Sequence, residues 1–204
     1  MGRIAGVAAA ETRERLLRAA ASVFAERGYD GTRVADIAAA AGVSNGALYA
    51  HFGSKADLLV AALRAHGRPM LAELLAADPD RSVTESLLEI GLGLTRRDAS
   101  GSLIVEALVA ARRDEDVARP MRDYTRERAD WLAGLVRTAQ ELGELDPVLS
   151  PEAIAHFCLL LAMGSALVGP GLHSVEDGSW AALLTSVMSG LAPANSMAQT
   201  GSTR

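Results

Sequence analysis

The stretch RVADIAAAAGVSNGALYAH, residues 33–51, decides the fold of this chain. Its first half repeats apolar residues at a spacing of three or four, which predicts a short amphipathic helix from about Arg33 to Ala40. Gly42 then breaks the pattern, because glycine tolerates the positive φ that a tight turn requires. A second short helix is predicted from Ser44 to about His51. Two short helices joined by a glycine turn have the proportions of a helix-turn-helix.

Helical periodicity also dominates the sequence on both sides of this motif, and strand signals are scarce. Thr12 is predicted to cap a first helix, and Ser54 with Asp57 forms a capping box for the helix that follows the motif. Gly143 is predicted to end a long helix and Ser150 to cap the next one. Later helices are predicted over residues 55–77 with a kink at 67–69, and over 82–97, 102–112, 117–142, 151–169 and 177–191. The fold class is therefore expected to be all-α.

Length and composition restrict the class of protein. The chain of 204 residues can bury a core, and no apolar run reaches the roughly 18 residues that a membrane span needs. The N-terminus shows no secretory signal, so we expect a cytoplasmic protein without a membrane partner. The net charge is −5, but residues 1–55 carry seven basic and five acidic side chains, a local charge of +2. A local basic surface is sufficient to meet DNA phosphates.

Catalytic and metal-binding patterns are not found in the sequence. Cys158 is the single cysteine, which excludes an intrachain disulfide and a cysteine-rich metal site. The four histidines do not have metal-ligand spacing, and no nucleophile triad, phosphate loop or carboxylate pair stands out. We therefore expect no enzyme activity, no cofactor and no metal.

Three strings of residues resemble the signature of the TetR family of transcriptional regulators. They are FAERGYDGT from Phe24 to Thr32, DIA with AGVS between Asp36 and Ser44, and GALYAHFGSK from Gly46 to Lys55. The match extends over residues 12–59. The resemblance implies a three-helix helix-turn-helix DNA-binding head, followed by a roughly six-helix body that binds a ligand and forms the dimer. The expected divisions are a head over 1–54, a body over 55–192 and a disordered tail over 193–204.

The DNA-binding residues are predicted partly from the pattern and partly from the resemblance. Leu48 and Phe52 can pack inward, which leaves the other side of the second short helix free to enter the major groove. Arg33 stands where the family usually has a capping Ser or Thr, so Thr32 is expected to cap the first short helix instead. The predicted DNA contacts are Thr32, Arg33, Ser44, Asn45, Gly46, Ala47, Tyr49, His51 and Lys55.

The body is predicted to hold an effector and a partner subunit. A small, mainly apolar molecule would bind between its helices, and the candidate lining residues are Met70, Leu74, Leu92, Leu108, Tyr124 and Trp131. Apolar stripes on the last two helices predict a four-helix dimer interface. Its candidate residues are Phe157, Leu161, Ser165, Trp180, Leu184 and Val187.

The resemblance to the TetR family implies a homodimeric repressor that an effector releases from a palindromic operator in double-stranded DNA. Two alternatives remain open. One is an activator or global regulator that responds to no ligand, which a body without an accessible cavity would favour. The other is a helical small-molecule-binding protein or enzyme with a vestigial head, which loss of DNA binding would favour.

Overall fold

The computed structural model describes residues 2–66, 78, 81–94 and 99–193. Within these residues the chain forms helices and no strands, which confirms the all-α prediction. The helices are α1 (Gly2–Gly31), α2 (Val34–Ala40), α3 (Asn45–His51), α4 (Lys55–His66), α5 (Val83–Gly93), α6 (Ala99–Ala111), α7 (Glu115–Glu141), α8 (Pro151–Leu172) and α9 (Asp177–Gly190). The predicted kink at 67–69 and the predicted tail lie outside the described residues, apart from Pro193.

The first helix begins earlier than predicted. It extends back to Gly2 through an alanine-rich segment, and alanine is the strongest helix former. Thr12 is consequently an interior residue, and its hydroxyl donates to the carbonyl of Ala8 at 2.8 Å. The prediction that Thr12 caps this helix is therefore wrong. At the other end, Gly28 adopts φ 71° and bends α1.

Three predicted helix signals are confirmed, two by hydrogen bonds and one by a backbone angle. The Ser54 hydroxyl accepts the N–H of Asp57 at 3.0 Å, and the Ser150 hydroxyl accepts the N–H of Ala153 at 3.2 Å. Gly143 has φ 75° directly after α7, the left-handed conformation that ends many helices. Local capping chemistry therefore fixed several boundaries in the way the sequence indicates.

The chain divides into two compact units. The first comprises residues 1–68 and 98–125, and the second comprises residues 69–97 and 126–204. In the first unit α1 packs on α4 and α6, so the helix-turn-helix shares a core with them. Its largest fully buried side chains are Leu16, Phe24, Ile37, Leu48, Leu58, Leu59, Leu63, Leu103 and Val117. The predicted boundary after residue 54 separates a DNA-binding head from a body by function, and it stays a prediction.

The second unit has its own core. Buried side chains from α5, α7, α8 and the segment after α7 meet there, and they are Val83, Val136, Ala139, Leu145 and Ile154. The Glu144 carboxylate accepts hydrogen bonds from the Ser82 hydroxyl at 2.8 Å and from the Thr84 N–H at 3.2 Å. A carboxylate at the start of α5 also complements the positive end of the helix dipole.

Candidate DNA interface

The helix-turn-helix is built by a cap, a turn and one buried leucine. Ser44 lies before α3 in an extended conformation, and its hydroxyl accepts the N–H of Ala47 at 3.2 Å. Gly42 has φ 66°, and apart from its chain neighbours no atom of the described residues lies within 4 Å of where its Cβ would stand. The turn therefore requires glycine for its backbone conformation and not for space. Leu48 is fully buried, which fixes the rotation of α3 about its axis.

This rotation leaves one side of α3 facing solvent. Asn45, Gly46 and Tyr49 are exposed, and Tyr49 is 54% accessible to solvent. Within the part of the chain that the structure describes, a Cβ at Gly46 would meet only the Ser44 hydroxyl, at 3.8 Å, so the backbone is open to close approach. Ala47 and His51 are half-buried at its margin. The arrangement offers a small, hydrogen-bonding surface of the size that enters a major groove.

At the start of α2 the adjacent residues Thr32 and Arg33 differ in exposure to solvent. Arg33 is the exposed residue before the helix, and its N–H donates to the Asp36 carboxylate at 3.3 Å. Thr32 is only 2% exposed, and its hydroxyl donates to the Gly28 carbonyl at 2.7 Å. The prediction that Thr32 caps α2 is therefore wrong. Its side chain stabilises the preceding turn and does not face a possible DNA ligand.

Lys55 has a different environment from the one predicted. Its ammonium donates to the carbonyls of Tyr29 at 2.9 Å and Thr32 at 3.2 Å, and lies 4.1 Å from the centroid of the Tyr29 ring. Two of its three donors are thus occupied within the protein. Lys55 therefore holds residues 28–32 against the start of α4. We call this segment, which runs from the kink at Gly28 to the residue before Arg33, the α1–α2 turn. Any phosphate contact of Lys55 would use its remaining donor.

Arg13 is a candidate that the sequence reasoning missed. Its guanidinium carbon lies 5.2 Å from the ring centroid of Phe52, the residue that ends α3. Arg18 and Arg27 pair with carboxylates, at 3.3 Å to Glu14 and 3.2 Å to Asp36. Arg13 makes no ion pair within the described residues, and it is exposed. An unpaired cation is therefore placed at the C-terminal end of α3. The sequence could not indicate this position, because Arg13 and Phe52 are 39 residues apart along the chain.

The predicted effector residues do not form one described cluster. Met70 and Leu74 lie outside the described residues. Tyr124 is buried in the core of the first unit, and Leu108 is partly buried against that core. Leu92 and Trp131 belong to the second unit, where the Trp131 side chain is substantially exposed.

The predicted dimer residues separate into two groups. Phe157 is exposed on α8, and Leu161, Ser165 and Val187 are half-buried. Trp180 and Leu184 instead pack on α5 of the same chain. The Trp180 indole N–H donates to the Gly91 carbonyl at 3.0 Å, and a Cβ at Gly91 would lie 3.0 Å from a Leu184 methyl group. Both side chains therefore contact α5 of their own chain, and their assignment to a subunit interface stays a prediction.

Large apolar side chains of the second unit are also exposed to solvent. On α8 and α9 they are Phe157, Leu160, Leu167, Val168, Leu172 and Leu183. Residues 151–168 of α8 are long and apolar enough to cross a membrane by length and composition alone, although Glu152 interrupts the apolar run, and 11% of this window is buried inside the structure. Burial raises the pKa of the Cys158 thiol on the same helix, which keeps it protonated.

Comparisons with known proteins agree on one family. Residues 16–62 match the sequence profile described as "Bacterial regulatory proteins, tetR family". The HTH-type transcriptional repressor BepR of Brucella suis biovar 1 (strain 1330) is 35% identical over 176 residues, which cover 81% of this chain and 82% of BepR.

Solved structures with the same fold include two regulators. A Rhodococcus sp. protein described as a TetR-family transcriptional regulator superposes with a TM-score of 0.76 at 26% identity, over 90% of this chain and 99% of that one. A Saccharomonospora viridis protein described as a transcriptional regulator, in complex with choline, has a TM-score of 0.65 at 22% identity, over 88% of this chain and 96% of that one.

Proposed function

This chain belongs to the TetR family of DNA-binding transcriptional regulators, and we propose that it is a cytoplasmic, non-enzymatic repressor that an effector releases from a palindromic operator. The observation that carries the proposal is the exposed side of α3, with a capped start, an open backbone at Gly46 and a solvent-facing Tyr49. The name of BepR as a repressor supports the direction of regulation.

Two kinds of contact make up the proposed DNA interface. Asn45 reads a base edge, and Gly46 and Ala47 let the α3 backbone approach the groove. Side chains around them bind phosphates, which position the head without reading sequence. These phosphate donors are Arg13, Arg33, Tyr49, His51 and the free donor of Lys55. Ser44 acts through its cap on α3, and Thr32 acts through the turn that it stabilises.

Replacing Arg13 by alanine tests the phosphate contact at the end of α3. We expect the slope of log affinity against log salt to become shallower by about one, on operator and random DNA alike, because one phosphate contact releases about 0.9 counterions. The measurement is a fluorescence-anisotropy titration at several salt concentrations. Arg15→Ala is the matched control, since Arg15 is an exposed arginine of α1 that contacts no aromatic ring among the described residues.

Thermal unfolding separates this role from a purely structural one. If Arg13 only covers the Phe52 ring, the Arg13→Ala variant has a lower melting temperature, but its salt slope equals that of the wild type. An equal change of slope in Arg13→Ala and Arg15→Ala would also contradict a specific contact.

The exposed stripe of α8 and α9 supports a dimer. Exposed apolar side chains gathered on one surface mark interaction sites, and a second copy of the same helices would cover them by two-fold symmetry. Phe157, Leu160 and Leu183 would lie at the centre of a four-helix interface. A palindromic operator requires two heads related by the same symmetry.

A small molecule in the body would control the affinity for DNA. It can do so only if it binds the DNA-competent and released states with different affinities. The choline complex of the Saccharomonospora viridis protein supports the idea that a chain of this fold can hold a small molecule. Trp131 is our candidate reporter of this site.

Fluorescence tests the position of the effector site. In a panel of small apolar molecules, we expect a binder at 100 times its Kd to stabilise the protein by about 2.7 kcal/mol, to quench tryptophan emission and to release operator DNA. The quench should disappear in Trp131→Phe and persist in Trp180→Phe, because the Trp180 ring is fixed on α5. A quench that persists in Trp131→Phe but disappears in Trp180→Phe would place the site elsewhere.

A further inference from the structure

The α1–α2 turn, residues 28–32, is held by two other helices of the first unit. Lys55 binds it from the start of α4, through the carbonyls of Tyr29 and Thr32. Glu106 of α6 binds it from another direction, since its carboxylate accepts the Tyr29 N–H at 3.3 Å. Gly28 is needed for this approach because a Cβ there would lie 2.9 Å from the same Glu106 oxygen.

Tyr29 is the residue on which these contacts converge. Its N–H reaches Glu106, its carbonyl accepts from Lys55, and its hydroxyl donates to the Asp114 carboxylate at 3.5 Å. Its ring stacks on Phe24 of the core, with the centroids 6.0 Å apart. Burial, with the Asp114 carboxylate as a second cause, raises the pKa of Tyr29 to about 12, so the hydroxyl remains a donor at neutral pH.

The turn leads directly into the helix-turn-helix. Arg33 precedes α2, and the Val43 N–H donates to the Ala38 carbonyl at 3.0 Å, which joins the α2–α3 turn to α2. A shift of the α1–α2 turn relative to α6 therefore moves the start of α2. Because α3 is joined to α2, α3 moves as well. The hydrogen bonds at Tyr29 stabilise one position of the α1–α2 turn relative to α6 over other nearby positions.

We propose that Glu106, with Asp114, is a positioning residue for operator binding: it fixes the orientation of α3 relative to α6 through Tyr29 and touches no DNA. The inference rests on the DNA-binding function proposed above. It makes a prediction opposite in sign to simple electrostatics. Removing an acidic side chain near a DNA-binding head should strengthen binding by charge alone, whereas losing the positioning contact weakens binding to the operator.

The test compares Glu106→Ala with two variants of the full chain. Glu106→Gln is the conservative variant, because its amide oxygen can still accept the Tyr29 N–H. Glu115→Ala is the charge control, because Glu115 is an exposed carboxylate at the start of α7 that pairs with Arg122. Spin labels on Ala50→Cys and Arg112→Cys, in a Cys158→Ser chain diluted with unlabelled chain, report the distance from α3 to the end of α6.

We expect Glu106→Ala to broaden the label-to-label distance distribution and to lower operator affinity about tenfold, the effect of losing a hydrogen bond to a charged group, without lowering affinity for random DNA. Glu106→Gln should keep the narrow distribution and most of the operator affinity. If Glu106→Ala does not fold, Tyr29→Phe removes only the Asp114 contact and should broaden the distribution less.

Two results would overturn the proposal. One is a narrow distance distribution in both Glu106→Ala and Tyr29→Phe. The other is operator affinity that rises in Glu106→Ala as it does in Glu115→Ala. If the wild-type chain binds no operator, the DNA-binding function fails, while the label distances still decide whether Glu106 positions α3.

Discussion

Leu160→Glu is expected to give a monomer that binds a palindromic operator at least about 100-fold more weakly than the wild-type chain. Leu160 is 56% exposed in the middle of the apolar stripe of α8, and a second copy would bury it. A charge there would be desolvated without a partner, which opposes association. A dimer binds both half-sites at once, and this linkage contributes a factor of about 10² to 10⁴ in affinity. Sedimentation velocity and operator titration measure the two effects.

Leu183→Glu and Leu184→Glu compare an exposed and a buried leucine of the same helix, α9. Leu183 is 55% exposed and should behave like Leu160, whereas Leu184 is 7% exposed and packs on Gly91 of its own chain. Leu184→Glu should therefore destabilise the second unit by several kcal/mol, as expected for an unpaired buried charge. Circular dichroism distinguishes the outcomes. A folded dimer in both Leu160→Glu and Leu183→Glu would exclude this stripe as the interface.

Asn45→Ala is expected to weaken operator binding by about 1–3 kcal/mol and to leave binding to random DNA unchanged. Asn45 is the first residue of α3 and is exposed, and an asparagine can make a bidentate contact with adenine in the major groove. Tyr49→Phe is the comparison, since the loss of one phosphate donor should weaken binding to all sequences alike. Competition titrations with operator and random duplexes measure both. If Asn45→Ala lowers the affinity for operator and random duplexes equally, Asn45 does not read a base.

The parts of the fold that depend on neighbouring residues could be predicted from the sequence. Gly42, Ser44 and Ser54 act within three or four residues of themselves, so their roles in turns and caps follow from local chemistry. The burial of Leu48 and the exposure of Asn45 follow from helical periodicity for the same reason.

The parts that depend on distant residues could not be predicted. The carbonyls that Lys55 binds are 26 and 23 residues upstream, and the carboxylate that accepts the Tyr29 N–H is 77 residues downstream. A periodic pattern also cannot say which partner covers an apolar residue. Leu183 and Leu184 are adjacent and equally apolar, and only the packing of α9 on α5 separates them.

A selection from random duplexes, followed by a mass measurement of the selected complex, tests whether this chain binds DNA as a regulator with two heads. We expect an enriched inverted repeat with half-site centres about 34–36 Å apart, or a multiple of this spacing, bound by an even number of chains. We also expect an Asn45→Ala chain to lose the enrichment at one position in each half-site. Selection that enriches no inverted repeat, or a wild-type complex with a single chain per duplex, would contradict the two-headed regulator.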